Sequence, residues 1–161
     1  MISKRLVDSA KSIFALAPAV PSSSTPTYVS VKDYQHITAY ILVKNATTVT
    51  GSAITLKQAT AVAGTSEKAL AFTKVWANVD TGAGDTLTET AVTSNTFTTN
   101  STNSKNLMYV IEVDTAELDT TNGFDCFRVG TGDATAATVA VMYVLSNPRY
   151  AGATPPTALT D

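Results

Sequence analysis

The stretch Leu107-Met108-Tyr109-Val110-Ile111-Glu112-Val113 is β-branched and aromatic, with no Gly or Pro, a make-up that favours a pleated, extended backbone. Read with a period of two, Leu107, Tyr109, Ile111 and Val113 share one face, and Met108, Val110 and Glu112 share the other. Because even the second face is mostly apolar, the pattern predicts a central strand covered on both sides. Apolar runs at 124–129 and 138–145 follow it. Upstream, Ile37, Ala39, Ile41 and Val43 alternate with His36, Thr38, Tyr40 and Leu42. Ile54 and Leu56 alternate with Thr55 and Lys57, as in a half-buried strand, and Leu70, Phe72 and Trp76 fall on one face of another. The polar stretch Thr86 to Thr99, anchored by Leu87, Val92 and Phe97, reads as one or two edge strands joined by a mobile loop. The sum is about eight strands and almost no helix, an all-β antiparallel β-sandwich for which a jelly roll is one topology. Its expected core includes Ile41, Leu56, Phe72, Trp76, Tyr109, Ile111, Val141 and Tyr143.

The pattern changes at both ends. Ile2, Leu6, Ala10, Ile13 and Ala17 recur at steps of three and four, the spacing of a short amphipathic helix. Pro18 and Pro21 end it, and 22–26 reads as an extended linker. The chain therefore divides into an N-terminal arm (1–27), a sandwich domain (28–150) and an extended C-terminal tail (151–161). Ordering such arms costs about 1–2 kcal/mol per residue in backbone entropy. They are expected to be mobile in the free subunit and ordered in an assembly, with Ile2, Leu6, Ile13, Phe14, Arg149 and Tyr150 as interface residues. Within the domain, Asp114-Thr115-Ala116-Glu117 fits a capping box and predicts one helical turn, and Thr121-Asn122-Gly123 predicts a tight reversal.

Composition narrows the partners. Charged residues are 15% of the 161-residue chain, against about 25% in ordinary domains, so Thr, Ser and Asn build the polar surface, as suits extended structure and work within an assembly. The net charge is −2 and Lys and Arg are scattered; without a basic stripe, nucleic acid is not an expected partner. No apolar run is long enough to span a membrane. Lys4-Arg5 precedes the apolar Ile13–Ala17, but Asp8, Ser9, Lys11 and Ser12 interrupt the stretch that a signal peptide needs. A single cysteine, Cys126, leaves no internal disulfide.

Candidate chemistry is sparse. His36 is the only histidine, and its nearest acid in sequence is Asp33; triads and zinc sites need placed partners, so a structural or surface role is expected. Cys126 alternates with Phe124 and reads as a small buried hydrophobe. The loop Asp80–Asp85, with Glu89 downstream, offers oxygen ligands but not the alternation of an EF-hand, and reads as a solvated turn. Gly130-Thr131-Gly132-Asp133 lacks the crossover helix of a nucleotide site and reads as a hairpin loop. Trp76 is either core or a sugar-stacking platform, and its spacing with Leu70 and Phe72 favours core. Glu112 and Asp114 share a strand face, but a glycosidase would need them in a cleft. No catalytic residue, cofactor or metal ligand is assigned, and the expectation is a non-enzyme.

Leu56-Lys57-Gln58-Ala59, 69–74, Tyr109-Val110-Ile111-Glu112-Val113, Gly123-Phe124-Asp125-Cys126 and 145–151 together resemble small virion structural proteins of tailed bacteriophages, especially capsid decoration or cement proteins. The resemblance spans most of residues 30–151. It implies a β-rich minor capsid subunit, made in the host cytoplasm and bound to the major capsid protein at capsomer junctions on the virion surface, commonly as a homotrimer. A tail-tube or other virion subunit is the nearest alternative, and a carbohydrate-binding or adhesin module is the alternative from another class.

Overall fold

In the computed structural model, which describes residues 5–150 and 155–161, the alternating runs become strands of two antiparallel sheets. One sheet sets β1 (Ala10–Ala19), β11 (Ala137–Pro148), β3 (Tyr34–Asn45), β9 (Asn106–Asp114), β6 (Lys74–Asn78) and β7 (Thr88–Ala91) side by side in that order. The other sets β2 (Val29–Ser30), β10 (Cys126–Gly130), β4 (Ala53–Ala59) and β5 (Lys68–Ala69) in order, with β8 (Thr96–Thr98) also paired to β4. The pairs β1–β11, β2–β10, β3–β9 and β4–β5 are nested, and they fall alternately in one sheet and the other. A chain doubled into one long hairpin and then rolled up has this order, that of a jelly roll. β6 and β7 widen the first sheet beyond β9, and β8 patches the flank of β4.

The core lies between the sheets. Ile37, Ala39 and Ile41 of β3, Ile111 of β9 and Val141, Tyr143 and Leu145 of β11 meet Ile54 and Leu56 of β4 and Phe127 and Val129 of β10, all essentially inaccessible to water. Tyr143 stands edge-on to Phe127 with ring centres 5.4 Å apart, and its hydroxyl accepts the Val129 N–H at 2.9 Å. The polar tip that a buried tyrosine brings into the core is thus satisfied. A second aromatic chain, Phe72–Phe97–Tyr109, closes the end under β8. The predicted helical turn is a 3-10 turn at Thr115–Glu117, where the Asp114 N–H donates to Glu117 Oε1 at 3.4 Å. The predicted reversal ends with Gly123 in the left-handed region.

Several expectations are corrected. The N-terminal amphipathic helix is instead an edge strand: β1 pairs with β11 from Ala10↔Ser146 to Phe14↔Met142, and Ile13, Ala15 and Leu16 are buried. A lone helix of that length is marginal in water, whereas the edge of β11 offers a full ladder of unpaired backbone groups, and pairing overrides the helical period. The C-terminal residues are not a free tail. Ala158 is fully buried and its carbonyl accepts the Ser30 N–H at 2.8 Å; Pro156 O accepts the Tyr34 hydroxyl. Trp76 is not core. Alternation holds through Leu70 and Phe72, but Thr73 and Lys74 are both exposed, and that slip turns Val75 inward and Trp76 outward. The Gly130–Asp133 loop is not a hairpin, since it carries the chain from β10 in one sheet to β11 in the other. Gly132 there has φ +66°, and a Cβ on it would meet Ala53 O at 2.7 Å.

Two stability measurements check this arrangement. Ile111→Ala should cost about 2–5 kcal/mol in urea denaturation, as for other buried large-to-small changes. Deleting residues 155–161 leaves the buried Ser30 N–H without an acceptor and should lower stability by roughly 1–3 kcal/mol. A truncation with wild-type stability contradicts the docked tail.

Candidate interaction surface

Residues directly paired in a ladder share a face, so register alone maps the outer side of the six-stranded sheet. One row crosses it as Phe14, Met142, Tyr40, Val110 and Trp76. The next holds Ala140, Leu42 and Met108. Val110 is buried only by its neighbours on the same face, while Phe14 is 65% and Leu42 45% exposed. Between Leu42, Met108, Ala140 and Pro18 lies a shallow groove of about 370 Å³. The rows beyond the apolar centre are polar. At one end stand His36, Asp114 and Ser146, with Glu112 one row in; at the other stand Lys44, Asn106 and Thr138. The expectation that β9 is covered on both sides is therefore wrong. Its second apolar face looks outward, and no further layer of described residues lies over it.

The interface residues expected from sequence scatter. Ile2 lies outside the described residues. Leu6 is exposed in a 3-10 turn at Leu6–Asp8, and Tyr150 is exposed just past β11. Ile13 is core, and Phe14, its neighbour, is on the outer row. Arg149 is tied down: its N–H donates to Asp33 O at 2.8 Å and its Nη2 to Thr115 Oγ1 at 3.2 Å. Sequence reasoning missed Tyr40, Leu42, Met108, Val110 and Met142 as surface. The signal was present, since these strands are apolar on both faces, but it reads equally as double burial.

The groups that could carry chemistry lie apart, each engaged in a structural contact. His36 sits between two carboxylates of β9, with Nδ1 2.8 Å from Asp114 Oδ1 and Nε2 3.7 Å from Glu112 Oε1. The acids are its cross-strand neighbours, so the cluster is a product of register on an open face rather than a cleft. Cys126 is fully buried, and burial, with Asp125 and Asp161 alongside, pushes its thiol well up. A thiol so held is poorly ionised and a poor nucleophile. Asp80 takes the ammonium of Lys105, whose bond holds its carboxyl below the usual range. The Asn78 side-chain amide spans the loop to Gly84 O at 2.8 Å. Among the described residues no group of three His, Cys, Asp or Glu side chains is placed to hold a metal ion.

The second sheet carries a polar knot on its own outer face. Lys57 and Arg128 are directly opposed across β4 and β10, where like charges repel. Glu67 lies between them, accepting from Lys57 Nζ, from Arg128 Nη2 at 2.6 Å and from the Tyr28 hydroxyl at 2.6 Å. The Arg128 guanidinium also covers the Tyr28 ring, 4.7 Å from its centre. Burial pushes the Glu67 carboxyl up, but the bonds from Lys57 and Tyr28 and the charge of Arg128 outweigh it and hold the group below its ordinary value of 4.5. A carboxyl whose pKa is lower folded than unfolded contributes stability above the unfolded value and loses it as pH falls through the folded one. Glu67→Gln should therefore lower Tm near neutral pH, and its gap to the wild type should close as pH drops below about 4.5. A gap that stays constant down the acid limb would show that Glu67 does not neutralise the pair.

No family model matches the chain, and no curated protein matches it. Among solved structures it is similar to the SPBc2 prophage-derived protein YomS, at 15% identity over 86% of this chain and 93% of that one, with a TM-score of 0.47. A likeness that loose has no bearing on what this chain does.

Proposed function

We propose that the protein is a non-enzymatic structural subunit of a phage particle, one that decorates the capsid by binding the major capsid protein at capsomer junctions on the outer shell. The observation that carries this reading is a set of apolar rows on the outer face of the six-stranded sheet. Phe14, Met142, Tyr40, Val110 and Trp76 form an apolar row across the outer face of a broad sheet, with Leu42 and Met108 in the next row, whereas His36, Cys126 and Asp80 are spread over separate parts of the fold in structural contacts. A sandwich that presents an apolar face while its titratable groups stand apart suits adhesion better than turnover. The acidic balance suits the outside of the shell, away from packaged DNA. The resemblance to capsid decoration proteins implies a subunit that commonly sits on the shell as a homotrimer.

Trp76 and Tyr40 on the same open row are the one observation that favours a carbohydrate-binding module instead. Two binding measurements separate the readings. The full chain should co-sediment saturably with empty expanded shells built from the major capsid protein of the phage that encodes it, and a glycan array should stay blank. No shell binding at roughly 10 μM protein, with glycan signal that Trp76→Ala abolishes, overturns the capsid reading.

A further inference from the structure

We propose that the outer face of the six-stranded sheet is a self-association surface, on which a second copy of this chain packs about a two-fold axis with its strands running antiparallel to the first. The second copy covers, in the free protein, the face that the capsid reading gives to the shell, so the two contacts exclude one another.

Size favours a second copy. The apolar rows cross β1, β11, β3, β9 and β6. Strands about 4.8 Å apart and rows from His36 to Lys44 at ~3.3 Å per residue give a footprint of roughly 24 by 26 Å, or ~600 Å² before the pleat is counted. That approaches the ~800 Å² per partner of a stable interface. The composition fits as well. The centre holds Trp76, Tyr40, Phe14, Met142 and Met108, the side-chain types enriched in interface cores, and the charges stand at its rim. Two sheets stacked with their strands aligned pack about 10 Å apart.

Charge then chooses the arrangement. Glu112 and Asp114 mark one end of the face and Lys44 the other, while Lys74 and Glu89, on the same face at its β6–β7 side, are paired with each other. A two-fold axis lying in the interface along the strands stacks Lys44 on Lys44 and carboxylates on carboxylates. An axis lying in the interface across the strands reverses one sheet end for end, and brings Lys44 of each copy over the Glu112–Asp114 end of the other. Only the second is self-complementary, and a two-fold interface must be. It forms the charged contact twice.

Sedimentation equilibrium of the full chain, without shells and from roughly 1 μM to 1 mM, tests this. A dimer is expected, weakened by salt because its end contacts are screened. Leu42→Glu and Phe14→Glu alter exposed side chains, so Tm should hold while the dimer Kd rises at least ~10-fold. Lys44→Glu should weaken the dimer, and Lys44→Glu combined with Glu112→Lys should restore it. A chain that stays monomeric throughout overturns the proposal, as does a dimer indifferent to Leu42→Glu and Phe14→Glu. A dimer that the charge swap fails to rescue overturns the antiparallel arrangement. A monomer whose Leu42→Glu variant loses shell binding assigns the face to the capsid protein instead.

Discussion

The register of β11 against β3 and of β3 against β9 is the constraint on which the rest of the molecule depends. Side chains alternate with a period of two, so a slip of one residue would carry Ile37, Ile41, Ile111, Val141 and Tyr143 to the outside and Tyr40, Val110 and Met142 to the core. In a sheet with one plainly polar face, hydrophobic burial alone forbids that slip. Here both faces are apolar near the middle, and the alternation by itself discriminates weakly. Polar and charged residues at the ends of the outer rows make up part of the difference: His36, Glu112, Lys44 and Asp114 cannot turn inward without leaving charge in the core. The Tyr143 hydroxyl adds a second lock, since it meets the Val129 N–H only in the observed register.

The same property explains what could be read from sequence and what could not. Strands with an apolar and a polar face, such as β4, were legible, and so was the all-β sandwich class. β9 was legible as a strand but not in its surroundings, because apolarity on both faces describes a strand buried twice and a strand with one sticky face equally well. β1 was misread because Ile2, Leu6, Ala10, Ile13 and Ala17 satisfy a helical period by chance, while its true partner lies at the far end of the chain. Trp76 was misplaced by a local slip at Thr73–Lys74, which no propensity marks. The docking of Ala158 had no local signal, since a small residue after two prolines says nothing about a cavity near Ser30. For the candidate surface, individual residues such as Phe14 were visible, but their assembly into one row required the register.

An open apolar face on a sandwich raises the question of the sheet edges, the usual route by which β proteins associate. The free edge of β1 is broken by register shifts between Phe14 and Leu16 and again before Ala19, and Pro18 removes a donor there. Both are devices that blunt an edge against strand addition. At the opposite edge, β7 is short and carries Glu89, which is paired with Lys74. Edges so protected, beside a face left apolar, direct contact toward stacking of sheets and away from growth of the ladder. Stacking on one face closes after a single partner, whereas edge addition propagates.

The docked termini bear on how the chain can bind at all. Arms that order on binding must recover their entropy from the partner at that moment. Here β1 already has its ladder with β11, and the tail has already placed Ala158 against Ser30 and Pro156 against Tyr34. Exchange of either end with a neighbour must first break those bonds and expose Ile13 and Leu16, and the gain on rebinding is the same set of contacts. Strand exchange between subunits therefore has little net driving force in this fold. What the ends still offer are the side chains of Leu6, Phe14, Tyr150 and Leu159, which are exposed although their backbones are engaged or near engaged segments. Contact through preordered side chains costs less ordering entropy than folding an arm, and Phe14 belongs at once to the end of the chain and to the outer row of the sheet. The first strand thus adds Phe14 to the proposed binding face, and its ladder with β11 holds that side chain in place without a partner.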